Sequence, residues 1–137
     1  MASGIKPTEE CITIYDQIKM KHTHLYAIYK VDGDHIKLDA VSGPNATYDQ
    51  FLNEMKSRAK QGCYAVVDLP LDERNSALGF VSWVSDDLPV KTKMLYASSK
   101  DALRKKLEGL KFRVDATDID ELSEEALLEA AKSRRTI

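Results

Sequence analysis

PVKTKMLYASSKDALRKKLEGL, residues 89–110, is helical in pattern and places a methionine among lysines. Side chains on an ideal helix turn by about 100° per residue. On that wheel Tyr96, Leu103, Leu107 and Leu110 share one narrow sector, an apolar stripe suited to a core. Met94, Ser98, Asp101 and Lys105 line the opposite side with Lys91 close by, and Lys93, Lys100 and Arg104 form a third row at the edge of the core face. A large apolar side chain therefore stands on the side that should be wet. Two physical readings are open. Met94 covers a neighbouring loop while the lysines are solvated, or it anchors the helix in an apolar cleft of a partner whose acidic rim meets the lysines. A basic helix also suits anionic lipid headgroups. Ser98 and Ser99, in mid-helix, have hydroxyls able to bond back to the preceding turn and bend it.

The flanking sequence frames this helix. Asp86, Asp87 and Pro89 start it, after LGFVSWV, a strand over Leu78–Val84. CYAVVDL, Cys63–Leu69, is a short continuous apolar run, the pattern of a central strand buried on both faces. Pro70–Ala77 between them is a turn-rich loop. Leu25–Val31 and HIKLDAV form a hairpin about Asp32-Gly33-Asp34, with Ile36, Leu38 and Ala40 alternating against polar residues. Thr8 caps a helix with Cys11, Ile14, Tyr15 and Ile18 as its apolar stripe; Thr47 caps a second, with Tyr48, Phe51, Leu52 and Met55 on one side. Phe112–Ala116 reads as a last strand and Ser123 opens a last helix, while residues 1–7 read as a loose arm. The sum is one α/β domain with a mixed sheet.

Composition narrows the function. The chain has 137 residues, 43% hydrophobic and 31% charged, which is enough for one core and a soluble surface. A formal charge of −2 argues against nucleic acid as partner. No apolar run approaches a membrane helix, and MASGIKPTEE lacks the apolar centre of a signal peptide. Cys11 and Cys63, isolated in a chain of this kind, read as buried residues of a cytosolic protein. His22-Thr23-His24 has no further ligand cluster to make a metal site and reads as a helix-to-strand connection. Trp83 reads as core. No glycine-rich phosphate loop and no nucleophile with a base partner is found, so the chain reads as a non-enzyme without cofactor.

The motif VKTKMLYASSKDALRKKL resembles the long helix of the actin-depolymerising factor (ADF)/cofilin family, with its pattern basic-x-Lys-Met-x-Tyr-x-Ser-Ser-Lys-Asp. MASG, GPNATYDQF, CYAVVDL, FVSWVSDDLPV and ATDIDELSEEAL follow the same family in the same order. The resemblance implies a single ADF-homology domain, a mixed sheet flanked by helices, cytoplasmic and cytoskeletal. It implies a monomer that binds actin monomers (G-actin) and filaments (F-actin) stoichiometrically, twisting and severing the latter. Lys91, Lys93, Met94 and Ser98 would form the monomer-binding helix face, joined by the arm around Ser3 and Gly4. Ser3 matches the family's inhibitory phosphorylation site; a phosphate would add about −1.5 to −2 charges there.

The chain departs from the family pattern where filaments are gripped. The resemblance places that site in two parts: a basic pair before the tryptophan strand, and charges on the last helix. Arg74 is present, but counting back from Trp83 puts Asn75 and Ala77 at the basic positions. Glu129 matches; Ala130 replaces a common basic residue, with Lys132, Arg134 and Arg135 as possible substitutes. The expectation is strong monomer binding with weaker stable filament decoration. Two other readings remain: a phosphoinositide-binding peripheral module using Lys93, Lys100, Arg104, Lys105 and Lys106, or a relative of the same fold that regulates a branching complex without binding actin. Lipid and actin compete in the family, so the first is also a form of regulation.

Overall fold

The computed structural model describes residues 5–133. Cys63–Pro70 (β4) is the strand around which the rest is built: Cys63 to Leu69 are all buried. Its neighbours are Tyr26–Asp32 (β2) and Ser76–Trp83 (β5), both antiparallel to it. Outside these lie His35–Val41 (β3), antiparallel to β2, and Phe112–Ala116 (β6), parallel to β5. Lys6–Pro7 (β1) adds a parallel edge to β3, giving the order β1-β3-β2-β4-β5-β6. The sheet is mixed, as expected. Residues 5–7, expected in a loose arm, are instead ordered: Lys6 and Pro7 pair with His35 and Ile36, and Ile5 is buried.

A strand buried on both faces needs a cover on each. Cys63, Ala65, Val67 and Leu69 face a core with Phe51 and Met55 of Tyr48–Lys56 (α2) and Leu127 and Ala130 of Glu124–Ser133 (α4). Tyr64 and Val66 face the other core, with Cys11, Tyr15 and Ile18 of Glu9–Lys21 (α1) and Tyr96 and Leu103 of Val90–Arg104 (α3). Helices therefore cover both faces. The cysteines sit in different cores, and burial raises both thiols, Cys63 to about 12, so neither is a thiolate at neutral pH. Trp83 is buried as expected, its Nε1–H donating to Met55 O at 2.8 Å.

Local chemistry sets the ends. Thr47 and Gln50 form a full capping box on α2. Thr8 holds the N-cap position of α1, but its hydroxyl lies 3.4 Å from Cys11 Sγ and makes no side-chain cap bond. Ser123 Oγ accepts from Ala126 N at the start of α4. A 3₁₀ turn, Ile119–Leu122, precedes it, capped by Asp118 and Glu121, which had no structural role in the sequence reading.

Two expectations need correction. Ile36, Leu38 and Ala40 do not share a face: the register slips between Ile28 and Tyr29, leaving Asp39 unpaired in a bulge. Ile36 and Leu38 face the α1/α3 core, and Ala40 the α2/α4 core. The bulged Asp39 instead accepts from Arg58 Nε at 2.8 Å, tying β3 to the end of α2. The β4–β5 connection is also tighter than Pro70–Ala77, since both of those residues are paired in strands.

Gly79 of β5 is a packing requirement. A Cβ there would lie 2.1 Å from Cζ of Phe112, whose ring crosses the strand. Gly79→Ala is expected to cost about 3 kcal/mol as overpacking, read as a lowered denaturant midpoint. An unchanged midpoint would show that the ring is not pinned against β5.

Candidate functional site: the outward face of the basic helix

Three contacts fix how α3 is presented. Tyr96 is buried, and its hydroxyl donates to Gly62 O at 3.1 Å and accepts from Val31 N at 3.2 Å. Tyr64 Oη in turn donates to Tyr96 O, and the two rings meet edge-on at 5.1 Å. Leu103 completes the inner face from the last turn of the helix. The helix runs unbroken from Val90 to Arg104, so Ser98, which donates to Leu95 O at 3.1 Å, does not put its halves out of phase. It ends earlier than its apolar stripe. Beyond Arg104 the chain tightens, with Lys106 N on Leu103 O and Leu107 N on Arg104 O, and Gly109 turns with φ 93°. Leu107 and Leu110 reach the same core from these turns.

The opposite side answers the question posed by the methionine. Met94 is 66% exposed, so most of its side chain faces outward. Val90, one turn earlier, is 69% exposed, and Leu95 also faces solvent. Lys91 and Ser98 are exposed and Lys93 is half-buried beside them. Val90 and Leu95 were missed by the helical wheel, which was read for cations around Met94; their apolar character at that spacing was the available signal. The result is an apolar strip flanked by cations.

The other predicted cations are not all free. Lys100 Nζ lies 3.2 Å from Asp115 Oδ1, and Arg104 Nη2 lies 3.2 Å from Asp101 Oδ1. Among the described residues, Lys91, Lys93, Lys105 and Lys106 enter no ion pair. β1 packs against α3. Ser3 and Gly4, expected in this site, lie outside the described residues, as do Arg134 and Arg135.

The residues expected to grip filaments lie elsewhere. Arg74 and Asn75 are exposed in the β4–β5 loop. Asp72 accepts from Arg74 N, Asn75 N and Asn75 Nδ2, so the Asn75 amide is held within the loop. These bonds, that of the Asn75 side chain first, hold the Asp72 carboxyl below its usual range. Ala77 points into the core, which leaves Ser76 as its exposed neighbour. Glu129 and Lys132 are exposed on α4. A cleft of about 400 Å³ lined by Leu71, Asn75, Lys111 and Ala131 joins the loop to that helix. Lys111 is thus a cation beside the loop that the sequence reading did not single out.

This architecture, a mixed sheet covered on both faces with one helix displaying an apolar and basic strip, is that of the ADF-type domain. The family model described as cofilin/tropomyosin-type actin-binding protein matches residues 4–132, and the chain belongs to this cofilin/ADF family. Actophorin of Acanthamoeba castellanii is 36% identical over 136 residues, covering 95% of this chain and 96% of that protein. A cofilin of Cryptococcus neoformans var. neoformans is also 36% identical, over 138 residues, covering 96% and 98%. The crystal structure of Streptomyces griseoflavus cofilin superposes with a TM-score of 0.87 at 33% identity, covering 93% of this chain and 99% of that one.

Exposure and anchoring separate two residues two positions apart. Tyr96→Phe strands the buried Gly62 carbonyl and Val31 amide and is expected to cost about 2 kcal/mol of stability. Met94→Ala is expected to change stability by less than about 0.5 kcal/mol. Chemical denaturation of the two variants checks this; a large loss for Met94→Ala would place that side chain in an internal contact.

Proposed function

We propose that this chain binds actin, monomeric and filamentous, through the outward face of α3, with Met94 and Val90 as apolar anchors and Lys91 and Lys93 meeting acidic groups at the rim. The observation that carries this is the exposed Met94 between unpaired lysines on a helix rigidly anchored from behind. Each anchor, fully covered, would contribute about 1.5–3 kcal/mol. Ser98 lies on the same face, and the arm with Ser3 and Gly4 completes the contact. Binding is stoichiometric and non-catalytic, in the cytoplasm, and leads to filament severing and subunit loss. A phosphate on Ser3 would place negative charge beside lysines that seek acidic partners, and so would weaken binding.

Filament decoration is proposed to be the weaker mode. The hairpin offers Arg74 against Asp72 and Glu73, the Asn75 amide is internally bonded, and Ala77 is buried. Glu129, Lys132, Arg134 and Lys111 are left as the charges for a second subunit. Severing, which needs only transient occupancy, persists. Phosphoinositide binding is proposed as competition at the same helix. Of its five expected cations, Lys93, Lys105 and Lys106 remain for headgroups, because Lys100 and Arg104 are occupied by Asp115 and Asp101.

In filament imaging, wild-type protein should shorten filaments and the Lys91→Ala, Lys93→Ala double variant should lose that activity while unfolding at an unchanged denaturant midpoint. Co-sedimentation at moderate salt should show substoichiometric decoration by the wild type. Unchanged shortening by the variant would move the contact off this face, and tight one-to-one decoration would refute the weak filament mode. Flotation with phosphoinositide vesicles should be reduced by added actin; flotation indifferent to actin would indicate an independent lipid module.

A further inference from the structure

At the other end of β4 from Gly62, where Tyr96 rests, lies a cleft of about 330 Å³, walled in part by Arg74 and Asn75 of the weaker filament contact and otherwise outside the actin reading. Its walls come from the α1–β2 connection, with His22 and His24, from Asp68 of β4, and from Asp72, Glu73 and Arg74 of the β4–β5 loop. Three carboxylates against one guanidinium favour a cation there.

Asp68 makes the cleft more than an acidic surface. Its side chain is only 9% exposed. Oδ2 accepts from His22 Nδ1 at 2.6 Å, while Oδ1 is closed to solvent and has no hydrogen-bond partner. Thr23 Oγ1, in the same connection, is likewise buried without a partner. Buried acceptors are normally satisfied, and leaving one unpaired is costly. Asp72 has its carboxylate committed to the loop, so Glu73 supplies the available charge at the rim.

His22 is the cover. Its side chain is 58% exposed, and it is the non-glycine position with positive φ, 51°, among the described residues. It caps the C-terminus of α1 in this left-handed conformation, where glycine is usual. The imidazole thus holds from within the position a cation from outside would take.

We propose that this cleft is a socket for one arginine or lysine side chain of a protein partner, which replaces the His22 imidazole on the Asp68 carboxylate and meets Glu73 at the rim. A guanidinium fits best, because its fork of donors can engage Asp68 Oδ2 in place of the imidazole and still reach the Glu73 carboxylate at the rim. A metal ion is a poorer occupant, since no group of three or more potential ligands is arranged to hold one among the described residues.

The test is titration of the ¹⁵N-labelled full chain with acetyl-Gly-Arg-Gly-amide, its citrulline counterpart and agmatine, followed by amide shifts. Shifts should concentrate at residues 22–25 and 68–76 and be absent with citrulline. Asp68→Asn should weaken peptide binding about tenfold, the loss expected for one charge-assisted hydrogen bond. His22→Gly keeps the left-handed backbone, removes the internal competitor, and should tighten binding about threefold. Equal shifts with citrulline, shifts spread over all surface carboxylates, or no tightening in His22→Gly would overturn the proposal. Agmatine binding as tightly as the peptide would overturn the assignment to a protein partner. Glu73→Gln, at an exposed position, covers the case in which Asp68→Asn fails to fold: it should weaken binding, and full retention would count against the socket. The inference is independent of the α3 contact, because Lys91→Ala, Lys93→Ala leaves this end of β4 intact.

Discussion

The structure depends on removing both faces of β4 from water. Tyr64 and Val66 point one way, Cys63, Ala65, Val67 and Leu69 the other, and all are buried. A single helical layer would leave half of that surface wet. The chain therefore supplies two layers, α2 with α4 and α1 with α3, and each helix needs only one apolar stripe. Everything displayed to a partner is what remains on the far side of those stripes.

That division explains why α3 can carry an exposed methionine without loss of stability. Tyr96 and Leu103 hold it by the inner face, and the Tyr96 hydroxyl serves two backbone groups from different elements, Gly62 and Val31. Through Tyr96 the helix is therefore positioned by β2 and the start of β4. Met94 and Val90 stand largely exposed on its outer face. An apolar strip so held has lost its conformational freedom before any partner arrives, which reduces the ordering cost of association.

Much of this was legible from local pattern. The continuous apolar run of β4, the Thr47 cap and the split of α3 into inner and outer faces each rest on neighbours within one turn or one strand, and each appears as read. What was not legible depends on distant partners. The bulge at Asp39 exists because Arg58, from the turn after α2, takes its carboxylate, and the resulting face switch moves Ala40 to the other core. Counting back from Trp83 could not show that Ala77 points inward, because the faces of β5 are set by pairing with β4. The cations of α3 looked equivalent along the helix, yet Lys100 is matched by Asp115 of β6, a residue that sequence distance hides. Ser3, Gly4 and Arg134 carry expectations that fall outside the described residues.

The two ends of β4 have opposite chemistry as a consequence. At its start, the anchoring of Tyr96 presents an apolar strip with lysines that no carboxylate among the described residues pairs with. At its end, the loop turns on Asp72 and displays Glu73 beside the half-satisfied Asp68. A partner that covers the first end needs apolar surface and acidic groups; one that engages the second needs a base. Because the two sites flank opposite ends of β4, a partner that made both contacts would carry its acidic and basic groups on separate surfaces.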